Sequence, residues 1–201
     1  VYDEHIYIFS IISINKVASL FGLEVFDAEH QTTHGGSMRY YLSQKKERRI
    51  TNNLKSLLKS EKKLGLDNFI KLKIFEKKCK KSRENFLSKI KKLSKNFKIY
   101  GYGATSKSTT ILNFCKIGKK YIKAIFDNSF TKIGKFTPIT HIPILNYEKN
   151  FERIKPKICI LFAWNHYEEI CKKEKDNLKK GMRFISHIDK RFLLKSKKYF
   201  I

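Results

Sequence analysis

The sequence predicts an α/β protein whose last third is a parallel sheet with covering helices, a Rossmann-like arrangement, preceded by basic helices and by a helix joined to a hairpin. Three observations carry this. Beyond residue 95, short apolar runs alternate with amphipathic stretches at the spacing of strand–helix–strand units. Over residues 45–95, apolar side chains recur every three, four or seven positions in a lysine-rich background. Near the start, the period changes from helical to extended and the chain then reverses through a glycine turn.

In order, residues 13–22 read as a short helix with Ile14, Val17, Ala18 and Phe21 on one face, capped by Ser13 and stopped by Gly22. Residues 23–28 are strand-like, Thr33-His34-Gly35-Gly36 supplies a turn, and residues 37–42 return as a second strand. A lone hairpin is only marginally stable in water, so sequence preceding Val1 is expected to complete this sheet. Next, Ile50, Leu54, Leu57, Leu58 and Leu64 form one apolar stripe, and Gly65-Leu66-Asp67 interrupts it. Asp67 is expected to cap a second helix, along which Phe69, Leu72, Phe75, Cys79, Phe86, Ile90 and Leu93 recur. These helices read as a connector, although the same pattern suits a basic helix lying on a membrane or on calmodulin. The last third gives strands at 98–101, 122–127, 142–145, 158–163 and 182–188, with helices at 106–114, 147–154 and 167–179.

The 201 residues suffice for one full domain plus a fragment and a linker. Val1 follows no initiator Met, charged leader or cleavage site, and the start reads as a cut. No apolar run approaches the roughly 18 residues of a spanning helix, so no membrane segment is expected and a cytoplasmic location is. Cys79, Cys115, Cys159 and Cys171 stand singly, which suits reduced thiols without a metal. The formal charge of +26 would attract nucleic acid, acidic membrane or anionic small molecules alike. The excess is mostly Lys spread over the whole length, with no basic arm and no aromatic-interleaved segment. A solvated lysine surface is therefore the expected reading, and nucleic acid is not the expected partner.

Gly101-Tyr102-Gly103-Ala104-Thr105-Ser106-Lys107-Ser108 falls between an expected strand and an expected helix, where backbone N–H groups can meet a phosphate. Ser106 and Lys107 add a hydroxyl and a cation, and Asp127 sits where a ribose-binding acid would stand in a dinucleotide site. Ser106 occupies the third glycine position of the dinucleotide fingerprint, so a purely structural turn stays open beside phosphate binding. Tyr2, Glu4 and His5 crowd together at the start; an imidazole beside a carboxylate suits a general base, and equally a solvated turn. A glycine turn brings His34, Ser37 and Arg39 to one end of the hairpin, either as a site or as a plain β-turn. Trp164 and Asn165 follow an apolar strand at the sheet edge where open α/β proteins gather ligands. There Trp164 would stack on a base and Asn165 would read it, or Trp164 would simply pack half-buried. By itself, His141 reads as a structural histidine.

Together and in order, Tyr2-Asp3-Glu4-His5, Gly22-Leu23-Glu24-Val25-Phe26-Asp27, Thr33-His34-Gly35-Gly36-Ser37-Met38-Arg39, Gly101-Tyr102-Gly103-Ala104-Thr105-Ser106-Lys107 and Thr140-His141-Ile142-Pro143-Ile144 resemble the sugar C-methyltransferases of deoxysugar biosynthesis. That resemblance implies an N-terminal zinc-binding domain, a central class I methyltransferase domain that binds S-adenosylmethionine, and a C-terminal Rossmann-like domain that helps hold a nucleotide-sugar. By similarity, residues 1–45 would be the end of the methyltransferase domain, 46–95 a helical connector and 96–201 the nucleotide-sugar domain. The zinc cysteines and the glycine-rich cofactor motif have no counterpart in the chain. The methyl-donor site is thus expected outside it, upstream or on a separate chain, and the fragment alone is expected to be inactive. The resemblance assigns His5 as base, with Glu4 and Tyr2 beside it. The candidate substrate contacts are His34, Ser37, Arg39, Gly101, Tyr102, Gly103, Thr105, Ser106, Lys107, Asp127, His141, Trp164 and Asn165, the Gly101–Lys107 loop on helix-terminus physics as well as on similarity, and Asp127, Trp164 and Asn165 on their places at the sheet edge. An NAD-binding oxidoreductase domain, resting on the Gly101 loop and Asp127, and a nucleic-acid-binding module, resting on charge alone, are the other readings.

Overall fold

Capping chemistry sets where the first helix begins in the computed structural model, which describes residues 7–33 and 36–188. Helix α1 (Ile11–Ser19) starts at Ser10, whose hydroxyl accepts from the Ser13 N–H while the Ser13 hydroxyl oxygen accepts from the Ser10 N–H at 2.8 Å. Ser13, the expected cap, is therefore the third residue of a reciprocal capping box. The Glu61 carboxylate accepts the next two N–H groups, Ile11 at 2.8 Å and Ile12 at 3.0 Å, placing negative charge at the positive end of the helix.

The chain divides into two packed units, one running through Cys79 and the other from Lys80. In the first, strands β1 (Leu23–Gln31) and β2 (Ser37–Gln44) form an antiparallel pair with a bulge between Val25 and Asp27. Helix α2 (Asn52–Leu64) is capped by Thr51, whose hydroxyl donates to Asp27 at 2.7 Å and holds that carboxyl below its ordinary range. Residues 45–50, expected to be helical, instead form a turn with Lys46 at φ +67°. Ile11, Val25, Ala28 and Leu54 make a small core, with Leu57 and Leu58 packed against it. Gly65, at φ +72°, ends α2 in a left-handed turn. Helix α3 (Phe69–Ser94) then begins at Asn68, whose side chain accepts from the Ile70 and Lys71 N–H groups. Asn68 does this in place of Asp67, because it is the residue directly preceding the first turn.

The second unit is α/β and Rossmann-like. Its elements are β3 (Ile99–Tyr102), α4 (Ser106–Cys115), β4 (Ile122–Asp127), β5 (Ile144–Asn146), α5 (Tyr147–Ile154), β6 (Ile158–Leu161), α6 (Tyr167–Lys173), α7 (Lys175–Lys179) and β7 (Arg183–Ile185). All five strands pair parallel in the order β5-β4-β3-β6-β7. Strand β6 is buried throughout, and its alternation supplies both faces: Ile158 and Ile160 join Phe86, Ile90 and Leu112, whereas Cys159 and Leu161 join Phe151, Leu178 and Phe184. Helices α3 and α4 thus cover one face, and α5, α6 and α7 the other. The single helix expected over 167–179 breaks at Glu174, which turns its side chain inward and is 1 % exposed. Among the described residues, no helix is long and apolar enough to cross a membrane.

Gly101 is the tightest point of the sheet. A Cβ added there would lie 2.8 Å from Ile125 Cγ1 and 2.9 Å from Phe162 Cε2, so a side chain at this position forces buried neighbours apart. Gly101→Ala should destabilise the second unit by about 1–3 kcal/mol, the usual cost of overpacking. Urea unfolding followed by the fluorescence of Trp164, the chain's one tryptophan, measures it.

Candidate functional site

Strand β3 is central, its successor β4 lies on one side and β6 on the other, so the direction of winding switches between β3 and β6. At such a switch the loops leaving the carboxyl ends of the two strands diverge and open a crevice. The β3–α4 loop turns through Gly103 at φ +87°, and a Cβ there would sit 3.1 Å from Ala163 Cβ in the loop after β6. The two loops therefore abut. Asp127, at the end of β4, fixes the first of them: one carboxylate oxygen accepts the Ala104 N–H and the other the Ser129 N–H, both at 2.7 Å. The acid expected to meet a ribose is thus engaged by the backbone of two loops, although each of its oxygens keeps a further lone pair.

Thr105 caps α4 by accepting the Ser108 N–H at 3.1 Å, and the buried Ser108 hydroxyl donates back to the Thr105 carbonyl at 2.6 Å. This cap leaves the Ser106 and Lys107 N–H groups at the positive end of a ten-residue helix. Beside them lies a hollow of about 240 Å³, lined by Thr105, Ser106, Thr109, Lys132, Lys135 and Thr137 among others; among the described residues its wall holds two lysines and no acid. The far wall is shaped by a turn in which Thr137, 3 % exposed, accepts the Ile142 N–H at 2.8 Å and shares a hydrogen bond with Thr140. Ile139 and His141 within this turn adopt left-handed backbone at φ +65° and +50°. A β-branched residue seldom does so, and Ile139 is held there while 78 % exposed. His141 is exposed and does not line the hollow. Trp164 and Asn165 occupy a 3-10 turn, Trp164–His166, directly after β6 and are both half-buried.

The sequence model of the C-methyltransferase C-terminal domain family matches residues 32–188. The chain belongs to this family. It is also 27 % identical, over 187 residues, to C-methyltransferase NovU of Streptomyces niveus, a match covering 92 % of this chain and 44 % of that protein. The chain thus spans less than half the length of this relative.

Within the C-methyltransferase C-terminal domain, Gly103, Thr105, Ser106, Lys107 and Asp127 come together around the start of α4, Gly101 is packed inside β3, and Trp164 and Asn165 stand in the neighbouring loop after β6. Tyr102 points elsewhere. Its ring is 8 % exposed and edge-on to Tyr147, Phe151 and Phe184, and its hydroxyl donates to Glu174 at 2.8 Å. Tyr147 donates to the same oxygen, and Asn177 to the other at 3.0 Å. Burial, followed by the adjacent Glu174, pushes both phenols far above their ordinary range. Sequence reasoning missed this cluster, yet a signal existed: Glu174 shares the helical face of Cys171 and Leu178, an acid in an apolar stripe. Ser37 and Arg39 belong to the first unit, where Ser37 donates to the Thr33 carbonyl and Arg39 lies 3.9 Å from Glu29. Tyr2, Glu4, His5 and His34 lie outside the described residues. Among the described residues, no three His, Cys, Asp or Glu side chains gather as a metal site.

A second group unseen in the sequence is His187, just beyond β7. Its ring meets Phe86 edge-on, its Nδ1 is buried without a partner, and burial lowers its pKa from the ordinary 6.5 to about 4. The unfolded chain takes up this proton near 6.5 and the folded chain only near 4. Stability should therefore be unaffected by this group above the first value, fall as pH drops between the two, and level off below the second. A loss of roughly 1–3 kcal/mol across that window is expected. His187→Leu should flatten this part of the profile, as urea midpoints across a pH series will show.

Proposed function

We propose that this chain is the C-terminal portion of an S-adenosylmethionine-dependent C-methyltransferase acting on a keto-deoxysugar carried by a nucleotide diphosphate, and that its second unit holds the nucleotide-sugar. The observation that carries this is the hollow at the start of α4. Unpaired helix N–H groups, Lys132 and Lys135 meet there with no competing acid among the described residues, which suits the doubly charged diphosphate. Lys107 stands half-buried on the same first turn but does not line the hollow. Trp164 offers an aromatic face and Asn165 an amide across the switch-point crevice, the pair of functions a nucleobase needs.

In this reading the keto-sugar loses the proton beside its carbonyl to a base, and the enolate carbon so formed accepts the methyl group. The resemblance gives the base to His5, with Glu4 orienting the imidazole and Tyr2 alongside. S-adenosylmethionine would supply an already activated methyl, so positioning accounts for much of the acceleration. The described residues of the first unit offer that cofactor no cradle. Their sheet is a single antiparallel pair, and Gly22, Gly36 and Gly65 lie at turns flanking the hairpin strands or ending α2. Donor binding is accordingly assigned to polypeptide beyond them, on the same chain or a separate one.

Thermal unfolding with added ligands tests the reading. A thymidine-diphosphate sugar should raise the melting temperature, gaining about 2.7 kcal/mol at a hundred times its Kd. Lys132→Glu combined with Lys135→Glu should abolish the gain without altering the melting of the free protein. Stabilisation by NAD, or by an oligonucleotide with a steep loss in salt, in place of the nucleotide-sugar would overturn the assignment.

A further inference from the structure

Glu174 is buried, and its three hydrogen-bond partners, Tyr102, Tyr147 and Asn177, are neutral. Replacing such an acid and its partners together by apolar groups of the same shape is commonly neutral or stabilising. Stability therefore does not account for the cluster, whereas the places of its two tyrosines do. Tyr102 is the last residue of β3. Its carbonyl accepts the Phe162 N–H at 3.1 Å, and the next N–H, that of Gly103, donates to the Phe126 carbonyl at 2.8 Å. Tyr102 thus ties β3 to β4 and to the end of β6 at the point where the loop bearing Thr105 and Ser106 departs. Tyr147 opens α5 directly after β5, and β5 holds the opposite wall of the hollow. The Ile144 N–H donates to the Lys135 carbonyl at 2.9 Å, and the Gly134 N–H to the Ile144 carbonyl at 3.0 Å. The two walls, one carrying the first turn of α4 and the other Lys132 and Lys135, are therefore joined through a single carboxylate oxygen on the face opposite α4.

We propose that Glu174 is a positioning residue of the nucleotide-sugar site: by holding Tyr102 and Tyr147 at one point it sets the separation between the start of α4 and the segment that carries Lys132 and Lys135. It touches no ligand itself. A diphosphate spanning helix N–H groups and lysines needs those donors at fixed spacing, because hydrogen bonds weaken steeply away from their preferred lengths and angles. Binding groups have to be held to within about 0.5 Å by the side chains behind them. A glutamine at position 174 would keep one oxygen able to accept from both tyrosines, whereas an apolar side chain would release them. The inference rests on the assignment of this hollow to the nucleotide-sugar and adds the residue that keeps its two walls in register.

Calorimetric titration of the full chain with a thymidine-diphosphate sugar, well below the melting temperature, tests the role. The triple variant Glu174→Leu, Tyr102→Phe, Tyr147→Phe replaces the cluster by apolar groups, so it should melt like the parent and yet bind about tenfold more weakly. Glu174→Gln should keep the parental affinity. Tyr147→Phe alone, at a half-buried position, should weaken binding by less than the triple variant, and it keeps the test available where the triple variant does not fold. Amide hydrogen exchange of the ligand-free chain gives a second readout: Gly103 and Ile144 should exchange faster in the triple variant and at the parental rate in Glu174→Gln. Parental affinity in the triple variant and in Tyr147→Phe, or a loss in Glu174→Gln as large as in the triple variant, would overturn the role of Glu174 and leave the site standing. Absence of binding by the parent chain would overturn the site itself and the inference with it.

Discussion

The close approach of β3 to its neighbours is the constraint on which the second unit depends. Gly101 has no side chain, and Ile125 of β4 and Phe162 at the end of β6 fill the space a Cβ would occupy. This brings the central strand into the apolar face built by Phe86, Ile90 and Leu112. The same absence two residues later lets Gly103 turn beside Ala163. The two glycines thus serve different ends within one short motif. Gly101 is fixed by packing, and Gly103 by a left-handed turn that juxtaposes the two loops of the switch point. A phosphate need not be invoked for either, so the motif's glycines bear on ligand binding through the geometry they impose on α4.

The opposite face is anchored by a buried carboxylate. Removing a charge from water is unfavourable unless hydrogen bonds replace hydration. Glu174 receives three, from Tyr102, Tyr147 and Asn177, which tie together β3, the start of α5 and the first turn of α7. Lys173 stands 3.9 Å from the centre of the Tyr147 ring, placing a cation on the outer side of the same cluster. The result is a rigid floor: Tyr102 is clamped at the end of β3, so the loop that begins at Gly103 departs from a fixed point. Asp127 does the corresponding work above the sheet, bonding Ala104 and Ser129 through its two oxygens.

What the sequence made legible follows from how local each cause is. Strand β4 and helix α5 fall on the expected residues, because a short apolar run broken only by Lys123 and ending at Asp127, and an Asn146 cap, are both local signals. Helix α1 was displaced because Ser10 and Ser13 are chemically identical, and only the direction of the hydrogen bonds tells cap from third residue. The break at Glu174 left only the mark of an acid in an apolar stripe, since the tyrosine that engages this acid, Tyr102, lies 72 residues away. Tyr102 itself was assigned to the ligand because the glycine motif was read as a unit. Alternation along a strand sends Gly101 and Tyr102 to opposite faces, and Tyr102 belongs with Phe126 and Phe184. In the first unit, the helical stripe correctly foretold Leu54 and the later turns of α3, but periodicity gives only the face presented. It carries no information about whether anything lies against Phe69 or Phe75.

Charge acts here at two distances. The excess of 26 positive charges creates a diffuse field that raises the local concentration of any anion and weakens over a Debye length, about 8 Å in physiological salt. Such a field attracts nucleic acid and nucleotide-sugar alike. Discrimination has to come from groups fixed at contact range: the first N–H groups of α4, held open by the Thr105 cap, and the lysines that line the adjacent hollow. Fixed donors are already aligned for a small dianion, whereas mobile surface lysines must first be ordered around it, at a loss of side-chain entropy. Raising the salt should therefore strip away the nonspecific attraction first and leave contact-range recognition more nearly intact, which makes salt dependence the physical property that separates the composition of this chain from its site.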